Sequence, residues 1–235
     1  MTAGGAPTLP DWSRGTGAIP PHGSVPPRFL GDEPAKAQVA VVIVHGRGDS
    51  ALGIIGLANH LTAPGTLWVA PGAAHSSWYP HSFLAPVARN EPGRSSGLDV
   101  MARIVAGLED IGLPRRRIVV GGFSQGACLS LEFAAREAVP LGGVFGLSGG
   151  LIGPPDDLPE YSGAMTGTPV FLGCSDVDPH IPVGRVHETA AVLQGLGAEV
   201  DARIYPGMGH SVNRDELTAL EALLERVRGV AESRP

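Results

Sequence analysis

A glycine-bracketed serine placed straight after a β-branched run constrains this chain more than any other feature. Ile118-Val119-Val120 leads into Gly122-Phe123-Ser124-Gln125-Gly126. A Gly-x-Ser-x-Gly pentapeptide leaving a strand reads as a nucleophile elbow. The chain turns so sharply into a helix that the serine is held in a strained conformation, and the residues two before and two after it must be small. That geometry lifts the hydroxyl above the sheet edge and aims a helix N-terminus at it.

The rest of the chain repeats the strand-then-helix pattern. Val39–Val44 is unbroken and apolar, as expected for a strand covered on both faces. Further strands are expected at Leu67–Ala70, Ile118–Val120, Val144–Leu147, Val170–Leu172 and Val200–Tyr205. Helical stripes lie between them: Leu98, Met101, Ile104, Val105 and Leu108, with Ser96 as N-cap and Asp99 three residues on; then Val186, Ala190 and Leu193, closed by Gly197. The last stripe is Leu217, Leu220, Leu224 and Val227, where Asn213 and Glu216 resemble a capping box. Such alternation predicts an α/β fold, a mostly parallel central sheet with helices on both faces. Residues 1–35 are rich in Pro, Gly, Ser and Thr without periodicity; they read as an irregular arm, partly packed through Trp12, Ile19, Phe29 and Leu30. Residues 36–235 then form one domain.

Composition excludes several classes. A formal net charge of −6 lacks the basic footprint of a nucleic-acid binder, and Arg115-Arg116-Arg117 reads as a solvated turn. Two cysteines, Cys128 and Cys174, make neither a disulfide framework nor a metal site, and Cys128 reads as a small core residue. No stretch reaches the roughly 20 apolar residues of a membrane span, and no signal peptide is visible, so the cytoplasm is the expected compartment. A homodimer stays open, with the arm a candidate for dimer contacts or for covering the sheet edge.

A serine hydroxyl needs an adjacent base, itself oriented by a third group. Two segments downstream supply them in the chain order Ser, acid, His. Asp176-Val177-Asp178-Pro179-His180-Ile181-Pro182 follows one expected strand, and Gly207-Met208-Gly209-His210 follows the next. Both lie at carboxyl ends of strands, where open α/β sheets place their sites. His210 is the base; Asp176 and Asp178 compete for the acid.

With these pieces in hand, the chain resembles the phospholipase/carboxylesterase group of α/β-hydrolases, which includes acyl-protein thioesterases. The matching segments are His45-Gly46-Arg47-Gly48-Asp49, Gly122-Phe123-Ser124-Gln125-Gly126, Asp178-Pro179-His180-Ile181-Pro182 and Gly209-His210, so only the arm falls outside the likeness. The resemblance implies an α/β-hydrolase fold with Ser124 as nucleophile, His210 as general base and then acid, and Asp178 as orienting carboxylate. Asp178 is preferred because the family places its acid directly before Pro-x-(Val/Ile)-Pro; Asp176 is then a loop brace. It also implies an oxyanion hole from the backbone N–H groups of Arg47 and Gln125. The Arg47 side chain is expected in solvent, with contact to an anionic or polar part of the substrate as the alternative.

Aromatic residues make up only 5% of the chain, yet the loop Gly72–Phe83 gathers several, together with His75 and His81. Trp78 and Phe83 are therefore expected to wall a substrate pocket, with His75, His180 and Ile181 bordering it and the Leu151–Pro155 loop at its rim. His75 and His81 lack a third ligand, so no metal is expected. His22, His60 and His187 read as surface or internally satisfied residues. The expected function is cofactor-free hydrolysis of a small carboxylic ester through an acyl-enzyme. Thioester, lysophospholipid and lactone substrates stay open, as does a non-catalytic receptor built on the same fold.

Overall fold

The structure, a computed structural model, describes residues 8–155 and 157–232. Seven strands form one sheet: β1 (Arg28–Gly31), β2 (Val39–Val44), β3 (Thr66–Ala70), β4 (Ile118–Phe123), β5 (Gly143–Leu147), β6 (Pro169–Ser175) and β7 (Glu199–Tyr205). Their spatial order is β1-β3-β2-β4-β5-β6-β7, and every pair except β1–β3 is parallel. The helices are α1 (Ala51–Ile55), α2 (Gly93–Asp110), α3 (Gln125–Glu137), α4 (Val183–Gly195) and α5 (Arg214–Glu232).

The uninterrupted apolar run of β2 now has its reason. Ala40, Val42 and Val44 pack with α2, α3 and α4 on one face, while Val39, Val41 and Ile43 pack with α1 and α5 on the other. All six are buried. From β2 the chain first steps outward to β3, then crosses back to place β4 on the opposite side of β2. The connections leaving β2 and β4 therefore diverge, and the crevice between them is the position at which open α/β sheets bind ligands. This is the α/β-hydrolase fold. No helix among the described residues is long and apolar enough to cross a membrane.

Two local expectations need correction. The stretch read as an irregular arm contributes β1, an antiparallel edge strand, and its four residues are exposed. Exposed residues show no in–out alternation, so the pairing left no pattern in the sequence. Trp12 is buried and stacks on Phe29 with ring centroids 6.1 Å apart, while Ile19, Phe29 and Leu30 are each partly covered. α2 begins at Gly93 rather than at the expected Ser96 cap. The Glu91 carboxylate, just ahead, accepts the Ser95 N–H at 3.0 Å and frees the Ser96 hydroxyl for another use.

The capping box of α5 is present as read: the Asn213 N–H donates to Glu216 Oε2 at 2.8 Å, and the Glu216 N–H donates to Asn213 Oδ1 at 2.9 Å. The remaining oxygen, Glu216 Oε1, is buried without a partner, and burial pushes this carboxyl up to about 7. A carboxyl raised on folding stabilises the fold while protonated, and that contribution is lost as pH rises from the unfolded carboxylate range through about 7. Glu216→Gln keeps the box. It should raise the thermal midpoint at pH 8 by several degrees and leave it nearly unchanged at pH 4, as read by thermal denaturation at both values.

Candidate active site

The elbow is built by contacts only glycine allows. A Cβ on Gly126 would lie 2.1 Å from the Val44 carbonyl oxygen, and one on Gly122 would lie 2.3 Å from the same atom. α3 can therefore start directly against the end of β2. Ser124, between the glycines, adopts φ 55° and ψ −121°, a conformation that costs about 1–3 kcal/mol in a non-glycine residue. Its N–H is tied to the Leu147 carbonyl at 2.9 Å.

Ser124 Oγ lies 2.9 Å from His210 Nε2, and His210 Nδ1 lies 2.7 Å from Asp178 Oδ2. The other carboxylate oxygen, Asp178 Oδ1, accepts the N–H groups of His180 at 2.8 Å and Ile181 at 3.0 Å. Burial alone would raise the Asp178 carboxyl; the His210 hydrogen bond and the two N–H donors outweigh it and hold the group below its ordinary range. Asp178 is thus a fixed anion at neutral pH, and the only proton it can share with His210 is the one on Nδ1. That leaves Nε2 as an acceptor facing the serine. The imidazole is flanked by the Phe123 ring at 4.8 Å and the His180 ring at 4.8 Å. Asp176 does not reach it: Asp176 Oδ1 accepts the Gly207 N–H at 2.7 Å, bracing the loop that carries His210. The Gly209 N–H, donated to Ser175 Oγ at 2.9 Å, is a second brace.

These side chains open into a cleft of about 650 Å³. Gly46, Arg47, Tyr79, Phe83, Cys128 and Ile181 are among its walls, with Ser124, Gln125, His180 and His210. The backbone N–H groups of Arg47 and Gln125 have no backbone acceptor among the described residues, and both residues line the cleft together with Ser124. The Gln125 amide holds the facing loop in register: Oε1 accepts the Trp78 N–H at 2.9 Å, and Nε2 donates to the Tyr79 carbonyl at 2.8 Å. Arg47 is exposed, as expected, and its guanidinium is also tied down. Its guanidinium donates to Ser77 Oγ at 3.1 Å and to the carbonyls of Pro80 and His81 at 3.0 and 2.7 Å. It is committed to clamping its own loop onto residues 77–81.

Trp78 and His75 are not where the sequence put them. Trp78 is fully buried behind the cleft wall, its indole N–H donated to the His45 carbonyl at 2.9 Å and its ring against His45 and His22. A loop tryptophan can wall a pocket or plug the core beneath one; here the partners of its N–H decide for the core. His75 is exposed, at φ 55°, and does not line the cleft. The Leu151–Pro155 loop is also set back from the cleft. The Arg185 guanidinium donates to three of its carbonyls, and the Gly153 N–H donates to the Phe83 carbonyl at 2.9 Å, so this loop supports Phe83 from behind. His22 and His45 are buried and neutral in their bonding, each with one ring nitrogen accepting a backbone N–H, and burial lowers the pKa of both. Phe123, against the His210 ring, went unread because the middle positions of the pentapeptide carry no residue requirement.

Comparison with known proteins fits this geometry. The family model described as Phospholipase/Carboxylesterase matches residues 31–227. The chain belongs to the phospholipase/carboxylesterase family. It is a hydrolase acting on esters. A crystal structure of a phospholipase/carboxylesterase from Dyadobacter fermentans superposes with a TM-score of 0.84 at 39% identity, covering 88% of this chain and 99% of that one. The acyl-protein thioesterase 1 of Kluyveromyces lactis is 31% identical over 215 residues, spanning 82% of this chain and 94% of that protein. That of Gibberella zeae is 40% identical over 119 residues, about half of each chain (50% and 51%).

Proposed function

We propose that this family member is a serine carboxylesterase working through an acyl-enzyme on Ser124. The observation that carries the reading is the unbroken relay from Ser124 Oγ through His210 to Asp178, at 2.9 and 2.7 Å, opening into the cleft. His210 Nε2 takes the hydroxyl proton as Oγ attacks the ester carbonyl. Negative charge then gathers on the carbonyl oxygen, where the N–H groups of Arg47 and Gln125 receive it; each such donor lowers the barrier by about 3 kcal/mol. The imidazolium, held by Asp178, passes its proton to the departing alcohol. Water attacks the acyl-serine by the same route in reverse, and the acid leaves.

The same geometry serves a thioester, because the oxyanion forms on the same oxygen whichever group departs. Relatives named acyl-protein thioesterase 1 support keeping both leaving groups in view. The purified protein is expected to release p-nitrophenol from p-nitrophenyl butyrate and thiol from the matching thioester, with both reactions lost together in Ser124→Ala. Tight binding of either compound without turnover would make the molecule a receptor and overturn the proposal.

A further inference from the structure

We infer that the N-terminal arm is part of the active-site machinery, with His22 acting as a positioning residue that clasps the loop carrying the contacts of both oxyanion donors. This rests on the esterase reading above and deepens it. His22 precedes the segment matched by the family model, which starts at residue 31, yet its side chain is 1% exposed and lies at the heart of the loop packing.

The arm is first anchored to α2. The Ile19 N–H donates to Asp99 Oδ2 at 2.8 Å, and the Ser96 hydroxyl donates to the Ile19 carbonyl at 2.5 Å while accepting the His22 N–H at 2.9 Å. This is the use for which the Ser96 hydroxyl was left free. The imidazole then spans a gap. His22 Nδ1 accepts the Ala74 N–H at 3.0 Å, which leaves Nε2 protonated to donate to the Trp78 carbonyl at 2.9 Å.

Between those two anchor points sit His75 and Ser76, at φ 55° and 54°, consecutive non-glycine residues in the left-handed region. Such residues persist only where their surroundings over-determine them. His22 closes the turn from both ends with one planar ring, and a single neutral tautomer satisfies both bonds.

What the strained turn holds is the oxyanion site. The Ser76 carbonyl accepts the Gly48 N–H at 2.7 Å, next to Arg47. Ser77 Oγ accepts the Arg47 guanidinium, and the Trp78 N–H and Tyr79 carbonyl fix the Gln125 amide. The Trp78 indole reaches the His45 carbonyl, two residues before Arg47. Both ring hydrogen bonds of His22 therefore end on the loop that contacts Arg47 and Gln125, the two residues proposed to supply the oxyanion N–H donors. Released, the turn relaxes and those donors lose their register, which acts on the transition state more than on substrate binding.

The test is His22→Phe in the full chain, which keeps a ring against Trp78 and removes both hydrogen bonds. Active sites are counted by fluorophosphonate titration, and kcat per titrated site is measured on p-nitrophenyl butyrate. Expected is a ten- to hundredfold fall in kcat per site with KM within about twofold, and a parallel fall in the fluorophosphonate labelling rate. His22→Gln, whose planar amide offers one acceptor and one donor, should recover part of the loss. Ser96→Ala, which removes two of the arm's three hydrogen bonds to α2 without touching the loop, should lower kcat per site in the same sense and decides the matter if His22→Phe does not fold. Wild-type kcat per site in the folded His22 variant, or in Ser96→Ala if only that one folds, overturns the inference while Ser124→Ala stays inactive. Turnover that survives Ser124→Ala overturns the esterase reading, and the inference with it.

Discussion

Ser124→Ala is expected to lower kcat on p-nitrophenyl butyrate by about 10⁵-fold or more while the thermal midpoint moves by only a few degrees. The two halves of this expectation come from different parts of the structure. Activity goes because Oγ is the only atom that His210 Nε2 contacts in the cleft as a hydrogen-bond partner among the described residues. Stability stays because the elbow is held by backbone: the Ser124 N–H bonds the Leu147 carbonyl, and the glycines at 122 and 126 rest on Val44. Alanine keeps both, at the same strained φ. A residual rate within a hundredfold of wild type would place the chemistry on another side chain.

Asp178→Asn should be nearly as damaging, lowering kcat by about 10⁴-fold at neutral pH. The asparagine oxygen can still accept the His180 and Ile181 N–H groups, so the loop keeps its shape. Its amide, however, now donates toward His210 Nδ1. The ring must then carry its proton on Nε2, which faces Ser124 as a donor and can no longer take the hydroxyl proton. Geometry is kept and the tautomer is wrong. Steady-state kinetics on the same ester read the effect, and a loss below tenfold would mean that Asp178 acts only as a spacer for the loop.

How far the sequence disclosed this arrangement depended on whether each contact leaves a local trace. The parallel core was legible because a strand covered on both faces must be apolar throughout, as β2 is, and because each long helix shows its buried stripe. The three residues of the relay were legible for a related reason: each sits at the carboxyl end of a strand, in a short segment whose glycines and prolines fix its shape. Asp178 could be preferred over Asp176 only through the family likeness; their different partners, His210 and the Gly207 N–H, appear only in the structure.

Elsewhere the decisive partner lies far along the chain. An aromatic cluster on a loop looks the same whether it lines a cleft or plugs the core. Trp78 is settled by His45, Gln125 and His22, which lie 33, 47 and 56 residues away. β1 was missed because its pairing is made by backbone groups, to which sequence is nearly blind, and its exposed side chains follow no alternation. The arm looked irregular because a segment packed by single side chains, Trp12 and His22, has no period to read.

In the proposed reaction a single oxygen atom, Ser124 Oγ, is made nucleophilic by its surroundings. Reacting the wild-type protein with a fluorophosphonate, digesting it and locating the adduct by mass spectrometry tests that directly. One phosphonyl group per chain, on Ser124, appearing in step with loss of esterase activity is the expected result. Full loss of activity with Ser124 unmodified, or an adduct on a different residue, would contradict it.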